Sequence, residues 1–224
     1  MYLNLWRDRM KKIFIFIFTI VILVGCSNGE DTFEEKNYTP DADDITSIDV
    51  KVIDRDIEIV LSKDNAMHVH YFESKQEKYA ISTKDKAFTL TTDNQKKWSD
   101  YIGFKPSSKY RKIIIQVPTR LIEKMHISTT NGDIQVPQMN IQEMSLSSNG
   151  GNLLFEKLNV RKKLNLENKN GTVKGSIIGN ESDFSIHSKV KKSKSNIKSN
   201  NGNKEKQLHL IGNNSKVNVE FTKE

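Results

Sequence analysis

"STTNGDIQV", Ser128–Val136, is echoed by "SSNGGNLLF" at Ser147–Phe155 and "ENKNGTVKG" at Glu167–Gly175. In each, Asn and Gly precede a short apolar alternation. Aligning the flanks yields apolar pairs at Met125/Ile127, Met144/Leu146, Leu164/Leu166, Phe184/Ile186 and Leu208/Leu210. Their second members advance by 19, 20, 20 and 24 residues. Seven positions on lie Ile134, Leu153, Val173, Ser193 and Val217, and two beyond those lie Val136, Phe155, Gly175, Ser195 and Val219. A period of about 20 residues with strand-length alternation indicates stacked coils. One coil cannot bury its own apolar rung, whereas stacking at about 4.8 Å makes a continuous core and pairs the backbone. Gly132, Gly151 and Gly171, each five residues after the anchor, are expected to supply a positive-φ corner. Independent hairpins would need a second strong turn signal between units, and the even spacing argues against them.

The fourth unit is the weakest. Ser193 and Ser195 replace its second apolar pair, which Ile197 would restore through a bulge. The fifth, "LHLIGNNSKVNVEF", is well formed. No cap is legible beyond it, so that end reads as an open interaction edge.

Before the repeats, Ile48–Val52, Asp56–Leu61, Met67–Phe72, Ala87–Thr92 and Lys112–Val117 alternate apolar with polar residues and are rich in β-branched and aromatic types. They read as strands. The predicted fold is all-β: a β-solenoid of parallel β-helix-like coils over 119–224, preceded by a strand-rich half over 45–118.

The first 26 residues have a different character. Lys11 and Lys12 precede an apolar run, Ile13–Val24, that is short for a membrane span of about 20 residues and fits a secretory signal. Met10 offers a second start. Leu23-Val24-Gly25-Cys26 resembles the lipobox of bacterial lipoproteins. The resemblance implies removal of residues 1–25, lipidation of Cys26 and anchoring at the extracytoplasmic face of the cell membrane. Cys26 is the sole cysteine, which excludes an internal disulfide. The acidic stretch 27–44 has no apolar period and reads as a flexible tether.

Charge is unevenly placed. Residues 27–140 carry 16 basic and 19 acidic side chains, and residues 141–224 carry 15 and 8. Much of the excess lies in "HSKVKKSKSNIKSNNGNKEK", which contains Lys189, Lys191, Lys192 and Lys194. Such a face is either plainly solvated or a site for anionic cell-wall polymer, lipid or another envelope protein. Nucleic acid is not an expected partner outside the membrane.

The signal with its lipobox, "IIIQVP" at Ile113–Pro118 and the Thr129–Val136 repeat unit, in that order, resemble the bacterial putative-adhesin family. That family is a domain of unknown function with β-helix-like coils, common in Gram-positive envelope proteins. The resemblance spans about Ile45 to Phe221. It implies adhesin-like surface binding or scaffolding and no catalytic residues; a place in an envelope-stress system is a further expectation.

Other residues suggest chemistry less clearly. His68 and His70 share a strand face and could chelate a metal, but no third ligand is evident. His126 and His209 occupy equivalent positions in the first and fifth units, four rungs or about 19 Å apart, too far to share an ion. The loop Asp93–Tyr110 holds Trp98, Tyr101, Phe104 and Tyr110, aromatics suited either to ligand contact or to covering the N-terminal end of the stack. Calcium coordination would need regular Asp in the turns, where only Asp133 occurs. Nucleophile-elbow and phosphate-loop motifs are absent. The outward rung positions Gln135, Leu154, Lys174, Lys194 and Asn218 offer no carboxylate pair. The expectation is a non-catalytic protein without metal or cofactor. A polysaccharide-active enzyme on a β-helix is the rival, and a sensor accessory of a membrane kinase is a third reading.

Overall fold

Alternating β-branched and polar residues become strands throughout residues 32–41, 44–94, 107–120, 122–200 and 202–223, the parts described by the computed structural model. The strands run β1 (Glu34–Tyr38), β2 (Ser47–Lys51), β3 (Asp56–Leu61), β4 (His68–Glu73), β5 (Glu77–Lys84), β6 (Ala87–Asn94), β7 (Lys112–Val117), β8 (Ile122–Thr129), β9 (Ile134–Val136), β10 (Met139–Ser148), β11 (Leu153–Lys169), β12 (Thr172–Ile178), β13 (Phe184–Lys191), β14 (Lys206–Asn213) and β15 (Lys216–Thr222). No helix among the described residues is long and apolar enough to cross a membrane. Residues 1–25 and Cys26 lie outside the described residues.

The strands form a curled sheet around one core, a solenoid-like stack. On one side the rungs are Phe88/Leu90, Ile48/Val50, Met125/Ile127, Met144/Leu146, Leu164/Leu166 and Leu208/Leu210, in parallel register. On the other side Ile113/Ile115 pair with Ile57/Ile59, and Ile57 pairs with Ile134. The ladder continues through Leu153/Phe155, Val173/Gly175 and Val217/Val219. These side chains are buried in one continuous cluster. Gly175 is the exception in its row because the Phe155 ring fills the space where its Cβ would stand. The strand-rich half is thus itself coiled: β2–β3 stacks directly on β8–β9, and β6–β7 lies outside it.

Sequence order and stacking order differ at both ends. β14–β15 sits between β11–β12 and the fourth unit, because β14 pairs with β11 on one side and β13 on the other. Ser195 bridges Val217 in the companion ladder. The register also differs from the sequence alignment by two residues: Ile186 faces Leu208, Ser188 faces Leu210, and Phe184 faces Lys206. Ile197 is buried, as the polar Ser193 and Ser195 required of it. The chain passes over the skipped rung through Gly179, whose φ of +127° is open to glycine, and a short 3-10 turn, Glu181–Asp183.

The tether expected over 26–44 is shorter than the sequence suggested. Glu34–Tyr38 forms β1, antiparallel to β4, which is itself antiparallel to β7. Tyr38 packs on the core beside Phe88. An acidic segment without apolar period can still form an edge strand, because pairing there needs backbone groups and only one or two packed side chains. β5, which showed no clear signal, pairs antiparallel with β6. At this end Arg55 and Glu77 form a buried ion pair, and Tyr79 accepts a hydrogen bond from the Arg55 Nε–H. Burial pushes the Tyr79 phenol up, with Arg55 opposing it.

Candidate functional site

The Asn-Gly motif is structural, and for a reason other than the expected positive φ. A Cβ on Gly132 would overlap the Arg55 carbonyl; on Gly151, the Gly132 carbonyl; on Gly171, the Gly151 carbonyl. The glycines form a column in which each backbone sits against the last. Positive φ falls instead on the preceding residue at some corners: Asp54, Asn170, Lys192 and Asn214. Beside this column runs an inward polar row. The Ser148 hydroxyl donates to the Gly132 carbonyl (2.9 Å) and accepts from the Gly151 N–H (3.0 Å). The Asn168 amide donates to the Gly151 carbonyl (2.7 Å). Thr129 and Ser215 donate likewise to the carbonyls of Arg55 and Asn168 (2.8 Å each). Corner groups that would be costly to bury unpaired are thereby satisfied.

The lysine-rich fourth unit is the end of the stack and its cap. Lys189, Lys191, Lys192 and Lys194 are exposed. Among the described residues none of them has a carboxylate partner. The segment after them closes both ladders. Asn200 Oδ1 accepts from the Ile186 N–H (2.9 Å), and Asn200 Nδ2 donates to the Phe184 carbonyl (3.0 Å). Ser199 Oγ accepts from the Ser188 N–H (2.8 Å). In the other ladder, Asn196 Oδ1 accepts from the Val219 N–H (3.0 Å) while its Nδ2 donates to the Val219 carbonyl (2.7 Å). The side chains imitate a neighbouring strand, so the open edge expected at this end is occupied.

Two shallow depressions lie on the outer faces. The larger, ≈ 750 Å³, runs across Glu58, Gln135, Leu154, Lys174 and Asn218, with Glu156 and Glu220 beside them. Of the outward set read from sequence, Gln135, Leu154, Lys174 and Asn218 line it and Lys194 does not. The carboxylates were missed because they stand one pleat further along, or on β3, which sequence did not place in the stack. Glu58 is ion-paired with Lys112. Glu156 and Glu220 are on β11 and β15, separated by β12. The smaller depression, ≈ 320 Å³, includes Asp49, His126, Lys163 and Asn165.

His68 and His70 share a face but not an ion. His68 contacts Asp64 Oδ2 (2.8 Å) and the Thr39 hydroxyl (2.9 Å), and His70 contacts Glu35 Oε1 (2.8 Å). His126 and His209 are separated by three rungs, about 14 Å, since the fourth unit does not intervene. The two-residue register shift of β13 sets His187 opposite His209, with ring centroids 6.0 Å apart. Among the described residues no group of three or more His, Cys, Asp or Glu could hold a metal. Trp98, Tyr101 and Phe104 lie outside the described residues. Tyr110, the last residue of that loop, stacks on Phe33 (4.9 Å) and meets Phe72 edge-on (5.4 Å).

The described residues thus form a solenoid-like all-β stack with shallow depressions on its outer faces. The chain matches the Toastrack DUF4097 family over residues 45–205 and belongs to it. Among solved structures it is similar to a putative cell adhesion protein from Clostridium sporogenes, with 12% identity and a TM-score of 0.61, covering 85% of this chain and 100% of that one. It also matches a putative adhesin from Bacteroides fragilis at 13% identity and a TM-score of 0.37, covering 85% and 97%. At such identities the likeness of the first concerns the fold alone. Comparison with the curated proteins found no match.

Proposed function

We propose that the protein is a non-catalytic envelope domain, lipid-anchored through Cys26, that binds an anionic cell-wall polymer through its lysine-rich end. The observation that carries this reading is the placement of Lys189, Lys191, Lys192 and Lys194 on the terminal coil, exposed and, among the described residues, without carboxylate partners. A solenoid with coils of about 20 residues is rigid along its axis, and the registers Ile127–Leu146 and Leu146–Leu166 support that repeat. Such a stack holds its end lysines at a fixed distance from the anchor-proximal strands. Adhesin-like attachment, or scaffolding in the envelope stress response, is the role this arrangement suits.

The test is binding of the full-length protein in detergent to purified teichoic-type polymer at two salt concentrations. Binding that weakens with salt, and in Lys189→Gln/Lys191→Gln/Lys192→Gln/Lys194→Gln, is expected. Equal retention at low and high salt overturns the electrostatic part. For the anchor, Cys26→Ser should move the protein out of the membrane fraction; retention there would refute lipidation as the sole anchor.

One observation favours the rival, a polysaccharide-active enzyme: Glu156 and Glu220 share the larger depression. Release of reducing ends from wall glycan, lost in Glu156→Gln or Glu220→Gln, would establish it.

A further inference from the structure

We propose that His187 and His209 form a binding site for a borderline divalent transition ion, with Zn²⁺ as the representative case, and that Asn165 Oδ1 is its third protein donor. The three residues lie in one outward row on adjacent parallel strands, Asn165 on β11 facing His209 on β14, which faces His187 on β13. Cross-strand neighbours in register project side by side at about 4.8 Å. An ion about 2.0 Å from a ring nitrogen is about 3.2 Å from the ring centroid. Two imidazoles whose centroids are up to about 6.4 Å apart can therefore share it, and the observed 6.0 Å falls within that reach.

Asn165 supplies a second, independent observation. Its Oδ1 is shielded from solvent and has no hydrogen-bond partner among the described residues. A buried acceptor left unpaired is costly, and a cation is one way to satisfy it. Imidazole nitrogen suits Zn²⁺, Cu²⁺ and Ni²⁺, whereas hard ions such as Ca²⁺ prefer an all-oxygen shell. Water would complete the coordination.

Lys163, two residues before Asn165 on the same outward face of β11, repels the ion, which sets a modest affinity. His68 and His70 are the competing pair, but both ring nitrogens of His68 contact Thr39 and Asp64, and Nε2 of His70 contacts Glu35.

The site is independent of polymer binding and is tested separately. Metal-free full-length protein in detergent is titrated calorimetrically with Zn²⁺. One equivalent is expected, lost in His187→Ala and in His209→Ala, weakened in Asn165→Ala and kept in His68→Ala/His70→Ala. Circular dichroism and the thermal midpoint of each apo variant exclude misfolding as the cause of a loss. Absence of Zn²⁺ binding by the parent protein, or its retention in both His187→Ala and His209→Ala, overturns the proposal.

Discussion

At the scale of single residues, the glycines of the repeated motif act by what they leave out. Each of Gly132, Gly151 and Gly171 makes room for the backbone of the coil before it. A methyl at Gly151 has backbone as its obstacle, and backbone cannot swing away as a flexible side chain can. Gly151→Ala is therefore expected to cost about 2–3 kcal/mol, in the range of overpacked interiors, read from the midpoint of chemical denaturation. A change under about 0.5 kcal/mol, typical of an unconstrained surface position, would mean the corner relaxes. Asn-Gly was legible in the sequence as a corner. Its mechanism was not, because a close approach depends on which coil lies beneath, and the partner of Gly132 is Arg55, 77 positions earlier. The polar row of Thr129, Ser148 and Asn168 was similarly hidden among residues that look like ordinary turn chemistry.

At the scale of elements, the alternation identified five of the strands before the repeats and all the apolar rungs of the first three repeat units. It failed where a strand has little to bury. β1 and β5 are edge elements held by pairing, and the fourth unit is polar because only one of its sides meets the core. The polarity that made this unit look degenerate is what a terminal coil needs. Asn196 and Asn200 replace a missing strand, so Asn196→Ala/Asn200→Ala should leave buried backbone groups unpaired, costing about 1–3 kcal/mol for each. It should also expose two edges to pairing between chains. Light scattering would show concentration-dependent association in the variant and none in the parent. A monodisperse variant of unchanged stability would show that the side-chain cap contributes little. The candidate lysines were legible as a charge cluster; the neighbouring histidines were not, since His187 and His209 are 22 positions apart and come opposite one another only through the two-residue register shift of β13.

At the scale of the whole domain, the coil β14–β15 is wedged between two coils that precede it in sequence, and β2–β3 is wedged at the other end between two coils that follow it. A stack of this kind depends on nearest neighbours, so a fault in the wedge should propagate outward. Leu210→Asp places a charge in a fully buried rung. Hydrogen exchange of β13 amides should then rise to that of an unfolded segment, while β2 and β8 stay protected. Loss of protection across all strands would instead indicate one indivisible cooperative unit.

The wedge also bears on the timing of assembly. A stack laid down in sequence order could zip up progressively as the polypeptide emerged. Here the slot between β12 and β13 must be held open, or reopened, until some forty residues beyond Lys169 are available to fill it. A chain that folds as it emerges therefore leaves β13 unlocked until β14 inserts beside β11, and that late insertion latches the stack.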